Sequence, residues 1–512
     1  MPLSSDVFLR TSASGTKRDG YTRNTLTGGE IDDHETATGR LQLRYTPTDS
    51  LDLQLSVDGY RVRDGQPGLR RVGPGPTLVE GSSNPFTGAY DLQGRADSDG
   101  VGIAGHVRYT TDNFTFVSIS AYREIDEELI TDLDGGPTRL VVQSSSFHQQ
   151  QLSQEFQLLG ETADERLKWI VGLYGFRERA RYTEVTDVFD GTLVLDFGTA
   201  PKNASYAAFG QFDYQLTPRL TATAGLRYTY DEREMTLVNG TFVPPAIDNS
   251  WSKLTPRLSL AFQATDSLLA YATASQGFKS GQFNARASRL PEFRALEPET
   301  VWAYELGVKS RWLEDRLQLN GSAFFSDYKD IQLQTFVAQP NNIDFISSNA
   351  PRGEVRGVEL ELIAQPLRNL TLQATLGLVD AEFTEYHDVS GNDLAGRKFA
   401  QTPETTYSLA AQYSHDVGEG TLRFASGYDY RSKHFLDVTN HADLAQGGFG
   451  LLSGRVTYAT AFDRMEVSLY GKNLTDERYI TAGYNLRALV GSGVAAFGAP
   501  RTYGVEVQFR FD

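Results

Sequence analysis

Cysteine is absent from all 512 residues, which excludes a disulfide framework and any thiolate metal site. Methionine is nearly absent, at 3 residues. No stretch reaches the roughly 18 consecutive apolar residues that a membrane helix requires. Helical periodicity of 3.6 residues is missing over any useful length. Positive charge is in deficit: 48 Lys and Arg stand against 65 Asp and Glu, a net charge of -17. So acidic a chain is not expected to bind nucleic acid, which starts from a basic face. The opening residues, Met1-Pro2-Leu3-Ser4-Ser5-Asp6, have neither a basic nor an apolar signal region. Nucleophile-elbow and phosphate-loop signatures are absent as well. Gly100-Val101-Gly102-Ile103-Ala104-Gly105 has the spacing of a dinucleotide loop but opens a strand pattern, so no nucleotide or other cofactor is expected. None of the seven histidines pairs at metal-ligand spacing with a Glu or Cys set, and the acidic run Asp126-Glu127-Glu128 reads as a solvated strand end.

What is present is aromatic and alternating. Tyr (25) and Phe (29) raise the aromatic share to 11%, a composition that favours strands. Mean hydropathy is -0.37, yet a membrane strand alternates lipid-facing and lumen-facing residues and so averages low. Tyr503, Val505, Val507, Phe509 and Phe511 share one parity; Gly504, Glu506, Gln508 and Arg510 share the other. In a strand these sets point to opposite faces, the first to lipid and the second to the lumen. Leu41, Leu43 and Tyr45 repeat the pattern, as do Leu51, Leu53, Leu55 and Val57. Phe114, Phe116 and Ile119 slip by one residue, which predicts a bulge. About twenty such segments lie between residues 6 and 511, many near the ~10-residue length of a tilted membrane strand. Short turns such as Thr46–Ser50, Leu216–Arg219 and Phe462–Arg464 alternate with long loops such as Asp64–Asp99, Ile125–His148, Thr183–Ala204 and Lys279–Pro298. That asymmetry predicts an all-β fold, a large antiparallel transmembrane barrel with long loops outside and both chain ends on the periplasmic side.

Several passages resemble TonB-dependent outer-membrane receptors. Ala274-Ser275-Gln276-Gly277-Phe278-Lys279-Ser280-Gly281-Gln282-Phe283-Asn284 resembles that family's strand-to-loop "GFKSGGFN" passage. Pro298-Glu299 leading to Tyr304-Glu305-Leu306-Gly307-Val308-Lys309 resembles its "PE…YELGxK" strand. Phe325-Ser326-Asp327-Tyr328-Lys329-Asp330-Ile331-Gln332 resembles "FYxDYKDIQ", and Asn473-Leu474-Thr475-Asp476-Glu477-Arg478-Tyr479 resembles "NLxDxxY". The resemblance runs over nearly the whole chain. It implies a barrel of roughly 22 strands with an N-terminal plug in its lumen. By that comparison residues 1–512 form the barrel domain alone, with the plug and first two strands missing, so the first strand must either pair with the last or leave a seam.

The resemblance further implies a cell-outer-membrane receptor of a Gram-negative bacterium, not an enzyme. It would take up a scarce solute such as a ferric siderophore, energised by the TonB complex through the missing plug. Expected partners are that solute, membrane lipid and lipopolysaccharide. A passive porin is the rival reading, although porins have fewer strands, about 16–18. No residue is expected to be catalytic or to bind a resident metal. Lys279, Gln282, Phe283, Asn284 and Arg286 open a long outer loop and are the candidate solute-binding residues at the mouth. Glu305, Glu359 and Glu361 alternate with apolar residues and are expected in the lumen, pairing with Lys or Arg. Asn473 and Asp476 are expected to end a strand through bonds to local backbone.

Overall fold

The computed structural model describes residues 3–74, 78, 83–339, 342–387, 391–460 and 464–510. Twenty strands form one sheet, running from Val7–Arg18 to Thr502–Phe509. Each strand is antiparallel to its neighbour in sequence, as in Leu51–Gly65 with Arg95–Thr110 and Leu317–Gln339 with Asn342–Leu367. A meander of this kind lets every hairpin satisfy its own backbone groups, which is obligatory in hydrocarbon.

Alternation decides which face meets lipid. Val505 lies opposite Leu469, Val507 opposite Val467 and Phe509 opposite Met465. Val505 and Leu469 are 66% and 60% exposed, so an apolar band clads the outside. It continues through Leu306, Leu258, Leu226, Leu173 and Leu55. Tyr45, Tyr109, Tyr214, Trp312, Tyr413 and Tyr458 ring its short-turn end, and Tyr206, Tyr228, Tyr304 and Tyr503 ring the other. Such girdles mark the two membrane interfaces. The opposite parity is charged. Arg44 meets Asp52 at 2.7 Å, Arg123 meets Asp58 at 2.9 Å, and Glu466 bridges Arg423 (3.5 Å) and Arg510 (3.2 Å). Arg455 pairs with Glu506 on the same inner face. The outward reading of Tyr503, Val505, Val507 and Phe509 therefore holds. Phe511 lies outside the described residues, as do Phe462 and Asp463 of one expected turn.

Three expectations need correction. The strand Phe114–Asp132 has no bulge: it pairs with Arg95–Thr110 and Val141–Glu161 without a register shift. Phe114 and Phe116 face outward with Ser118 and Ser120, whose hydroxyls are engaged by Gln154 of the next strand; Ile119 simply belongs to the inner face. Second, several expected loops are mostly strand. Leu167–Val188 and Leu193–Thr217 leave only a tight turn, and Phe114–Asp132, Leu220–Asn239 and Asn342–Leu367 likewise run on past the membrane. Outside the bilayer both faces are polar, as with Arg61–Asp99 on the outer face (3.0 Å), so the alternation that betrays a membrane strand disappears. Third, Glu305 and Glu361 bond Tyr271 and Asn320 rather than Lys or Arg.

The first strand's register runs along His34–Thr48 and the last strand's along Met465–Lys472. Among the described residues no ladder joins first strand to last. Described loop segments at the long-loop end pair with one another. Arg70–Val72 pairs with Gly493–Phe497, which pairs with Ile480–Asn485, making a small sheet over the long-loop end. Val72, Ile480 and Ala495 of this sheet pack with Leu436 and Leu444 of a neighbouring loop.

Candidate functional site at the outer mouth

The passage Lys279–Arg286 leaves the Leu268–Lys279 strand and turns back along the inner wall of the mouth. Gly281 is required there: a Cβ on it would lie 2.2 Å from the Trp251 ring. Trp251 also holds Phe283, with ring centroids 5.9 Å apart. Gln282–Phe283 pairs with Ala295–Leu296, closing the loop as a two-stranded clip. Asn284 is buried, its Oδ1 accepting from the backbone N–H of Arg286 and of Ser347, both at 3.3 Å. Arg286 reaches across to Glu184, donating from Nη1 at 2.7 Å and Nη2 at 2.6 Å. Its guanidinium lies 4.2 Å from the Phe197 ring centroid. Phe197, Leu237, Ala287 and Phe293 complete this packing.

The electrostatics follow from that burial. Burial pushes the Glu184 carboxyl up, but the hydrogen bonds and charge of Arg286 outweigh it and hold it below its ordinary range. Tyr182 donates to Glu184 at 2.5 Å and is pushed up to about 12, by burial first and then by that carboxylate. Of the five candidate residues, Lys279 is exposed and Gln282 half-buried, while Phe283, Asn284 and Arg286 hold the loop to the wall. Sequence reading missed Glu184 and Trp251, the wall partners of that loop; Glu184 alternates with Val185 in a stretch that reads as a polar loop.

Asn473 ends its strand as expected. Its side chain donates to the Glu477 carbonyl at 2.9 Å and accepts from the Glu477 N–H at 2.8 Å, whereas Asp476, expected to bond local backbone, accepts instead from the distant Arg501 N–H at 3.1 Å. The histidines require a correction. Cross-strand register sets His148 opposite Asp126, with Nδ1 and Oδ1 2.7 Å apart and Glu124 beside them. Spacing along the chain could not show this, because the two residues sit on different strands. His434 and His441 stay local, bonded to Ser432 and Asp443. A second carboxylate group, Asp91, Asp132 and Asp134, forms where two loops meet. Burial first, and then the neighbouring Asp134, push the Asp132 carboxyl up to about 7.

This barrel, with its folded-in loops, matches known proteins. A family model described as TonB dependent receptor-like, beta-barrel covers residues 10–474. The pesticin receptor of Yersinia pestis is 23% identical over 506 residues, which cover 96% of this chain and 70% of that protein. The metal-pseudopaline receptor CntO of Pseudomonas aeruginosa (strain UCBPP-PA14) is 26% identical over 263 residues, covering 51% of this chain and 34% of that receptor. Among solved structures, the ferric yersiniabactin uptake receptor FyuA of Yersinia pestis superposes with a TM-score of 0.86 at 20% identity, over 100% of this chain and 76% of that one. The match along most of the sequence and the shared architecture lead to one assignment: the chain belongs to the TonB-dependent receptor-like β-barrel family.

Proposed function

We propose that this barrel is the outer-membrane wall of a receptor that takes up a ferric siderophore or similar metal chelate, energised through TonB. The observation that carries the reading is the match along residues 10–474 to that receptor family. The names of relatives and structural neighbours, receptors for pesticin, metal-pseudopaline and ferric yersiniabactin, favour a metal-bearing ligand. Twenty strands also exceed the roughly 16–18 of diffusion porins. Lys279, the exposed cation at the mouth, and Gln282 beside it are the proposed first contacts for an anionic chelate; Phe283, Asn284 and Arg286 set their position. The polar inner wall, with pairs such as Arg44–Asp52 and Arg123–Asp58, suits a plug.

The test is uptake of radiolabelled iron from a panel of ferric chelates by iron-starved cells. Disrupting the gene is expected to abolish uptake of one chelate, and removing TonB to abolish it equally. Passage that persists without TonB would establish the porin reading, and unchanged uptake of every chelate would refute a chelate receptor.

A further inference from the structure

Asp91 lies in the loop of residues 66–94, Asp132 ends the strand Phe114–Asp132, and Asp134 follows in the next loop. One oxygen from each carboxylate lies within 4.8 Å of the other two. The loops already touch, the Asp91 N–H donating to the Gly136 carbonyl at 3.2 Å. Much of the carboxylate capacity is spent locally. Asp132 Oδ1 accepts from the N–H groups of Asp134 and Gly135, both at 3.1 Å. Asp134 Oδ2 accepts from the N–H groups of Leu140 (3.0 Å) and Val141 (2.9 Å), and its Oδ1 from Arg71 at 3.3 Å.

Two oxygens remain. Asp132 Oδ2 and Asp91 Oδ1 are buried and accept from no donor. Asp132 is 7% exposed and Asp134 0%, so water offers no general remedy. Charge is unbalanced as well. Arg71 pairs with Asp134 at 3.3 Å, while Arg139, in the loop of Asp134, is directed to Asp187 at 3.1 Å and Asp190 at 3.8 Å. Buried charge persists when it is paired or coordinates a metal.

We propose that Asp91, Asp132 and Asp134 form a calcium site that fastens loop 66–94 to loop 133–140. The donors are oxygen only, with neither imidazole nor thiolate, which selects a hard cation. Loop carboxylates supplemented by carbonyls and water suit the adaptable calcium shell better than the strict octahedron of magnesium. The site lies at the long-loop end, where sites of extracellular modules bind calcium at about 10⁻⁴–10⁻³ M. Loop 66–94 also carries Arg70–Val72, one edge of the small sheet over the mouth, so the ion steadies that sheet.

The test uses the purified receptor in detergent, titrated with calcium alone and with terbium as a luminescent substitute. One saturable site is expected, with terbium displaced by calcium and not by equal magnesium. Asp91→Asn and Asp132→Asn should each weaken binding about tenfold or more, with the heat-resistant folded band retained on gels. Chelator should speed proteolysis of loop 66–94 in the parent protein and leave the Asp91→Asn rate unchanged. Because Asp132 also caps its own turn, Asp91→Asn decides the matter. Parental affinity in Asp91→Asn, or no saturable binding at millimolar calcium in the parent, overturns the proposal.

Discussion

Replacing Glu184 by alanine is expected to free loop 280–298 from the barrel wall while the barrel stays folded. Glu184 is 3% exposed and Arg286 18%, and two charge-assisted bonds join them. Removing one partner of such a pair strands the other charge, at about 3–5 kcal/mol. Local order of the loop rests on that pair and on the small apolar cluster of Phe197, Leu237, Ala287 and Phe293, so most of its protection should vanish. Hydrogen exchange over residues 280–298 and over the strands Glu299–Trp312 and Leu268–Lys279 reads the effect. Fast exchange confined to the loop is the expected outcome; parental protection there would show that the ion pair contributes little. Replacing both partners with apolar residues should recover part of the loss. The pH dependence has a definite sign. Glu184 is held below its ordinary 4.5, so its contribution is complete above that value and is lost as pH falls through the lowered one. Mild acid should leave the loop ordered, and only stronger acid should release it.

Val505→Arg is expected to cost about 2–4 kcal/mol and to cut assembly into the membrane. Val505 sits in the middle of the outward apolar band, opposite Leu469, where an arginine has neither water nor a partner. Thr375→Arg is the matched control. Thr375 lies opposite Glu361 on the inner face, so the same guanidinium meets a carboxylate and water. Urea unfolding of the two variants in lipid vesicles gives the difference directly. Equal stability would mean that Val505 does not face lipid.

The strands within the bilayer were legible because lipid on one side and water on the other write a two-residue period into the sequence, as in Tyr503–Phe509. The same physics explains the failures. Past the membrane both faces of Leu167–Val188 meet polar surroundings, and the period fades into an apparent loop. Ser118, Ser120 and Gln154 satisfy one another on the outer face, and those polar residues mimic a bulge. At the mouth, the passage Lys279–Arg286 was recognisable, but its partners were not. Glu184 lies 102 positions from Arg286, and no local pattern encodes a contact of that range. The Asp132-Leu133-Asp134-Gly135-Gly136 turn did carry a visible signal, carboxylates beside glycines; its third member, Asp91, becomes its neighbour only through the fold.

The small sheet over the mouth has a consequence for assembly order. Nearly every pairing in the wall joins neighbouring strands, so each hairpin can zip onto the last with a short closure. The pairing of Arg70–Val72 with Gly493–Ala495 is different, because it links positions about 420 residues apart. Bringing such distant segments together in a flexible chain costs about 5 kcal/mol of closure entropy, from the logarithmic dependence on loop length. Three residue pairs cannot offset that alone; they form once the intervening strands have already brought the segments close. The sheet is thus a late event that can occur only when the third strand and the last have come round to the same side. It works as a latch between the early and the late strands, and protection of Val494 against exchange would time the moment at which those two parts of the wall meet.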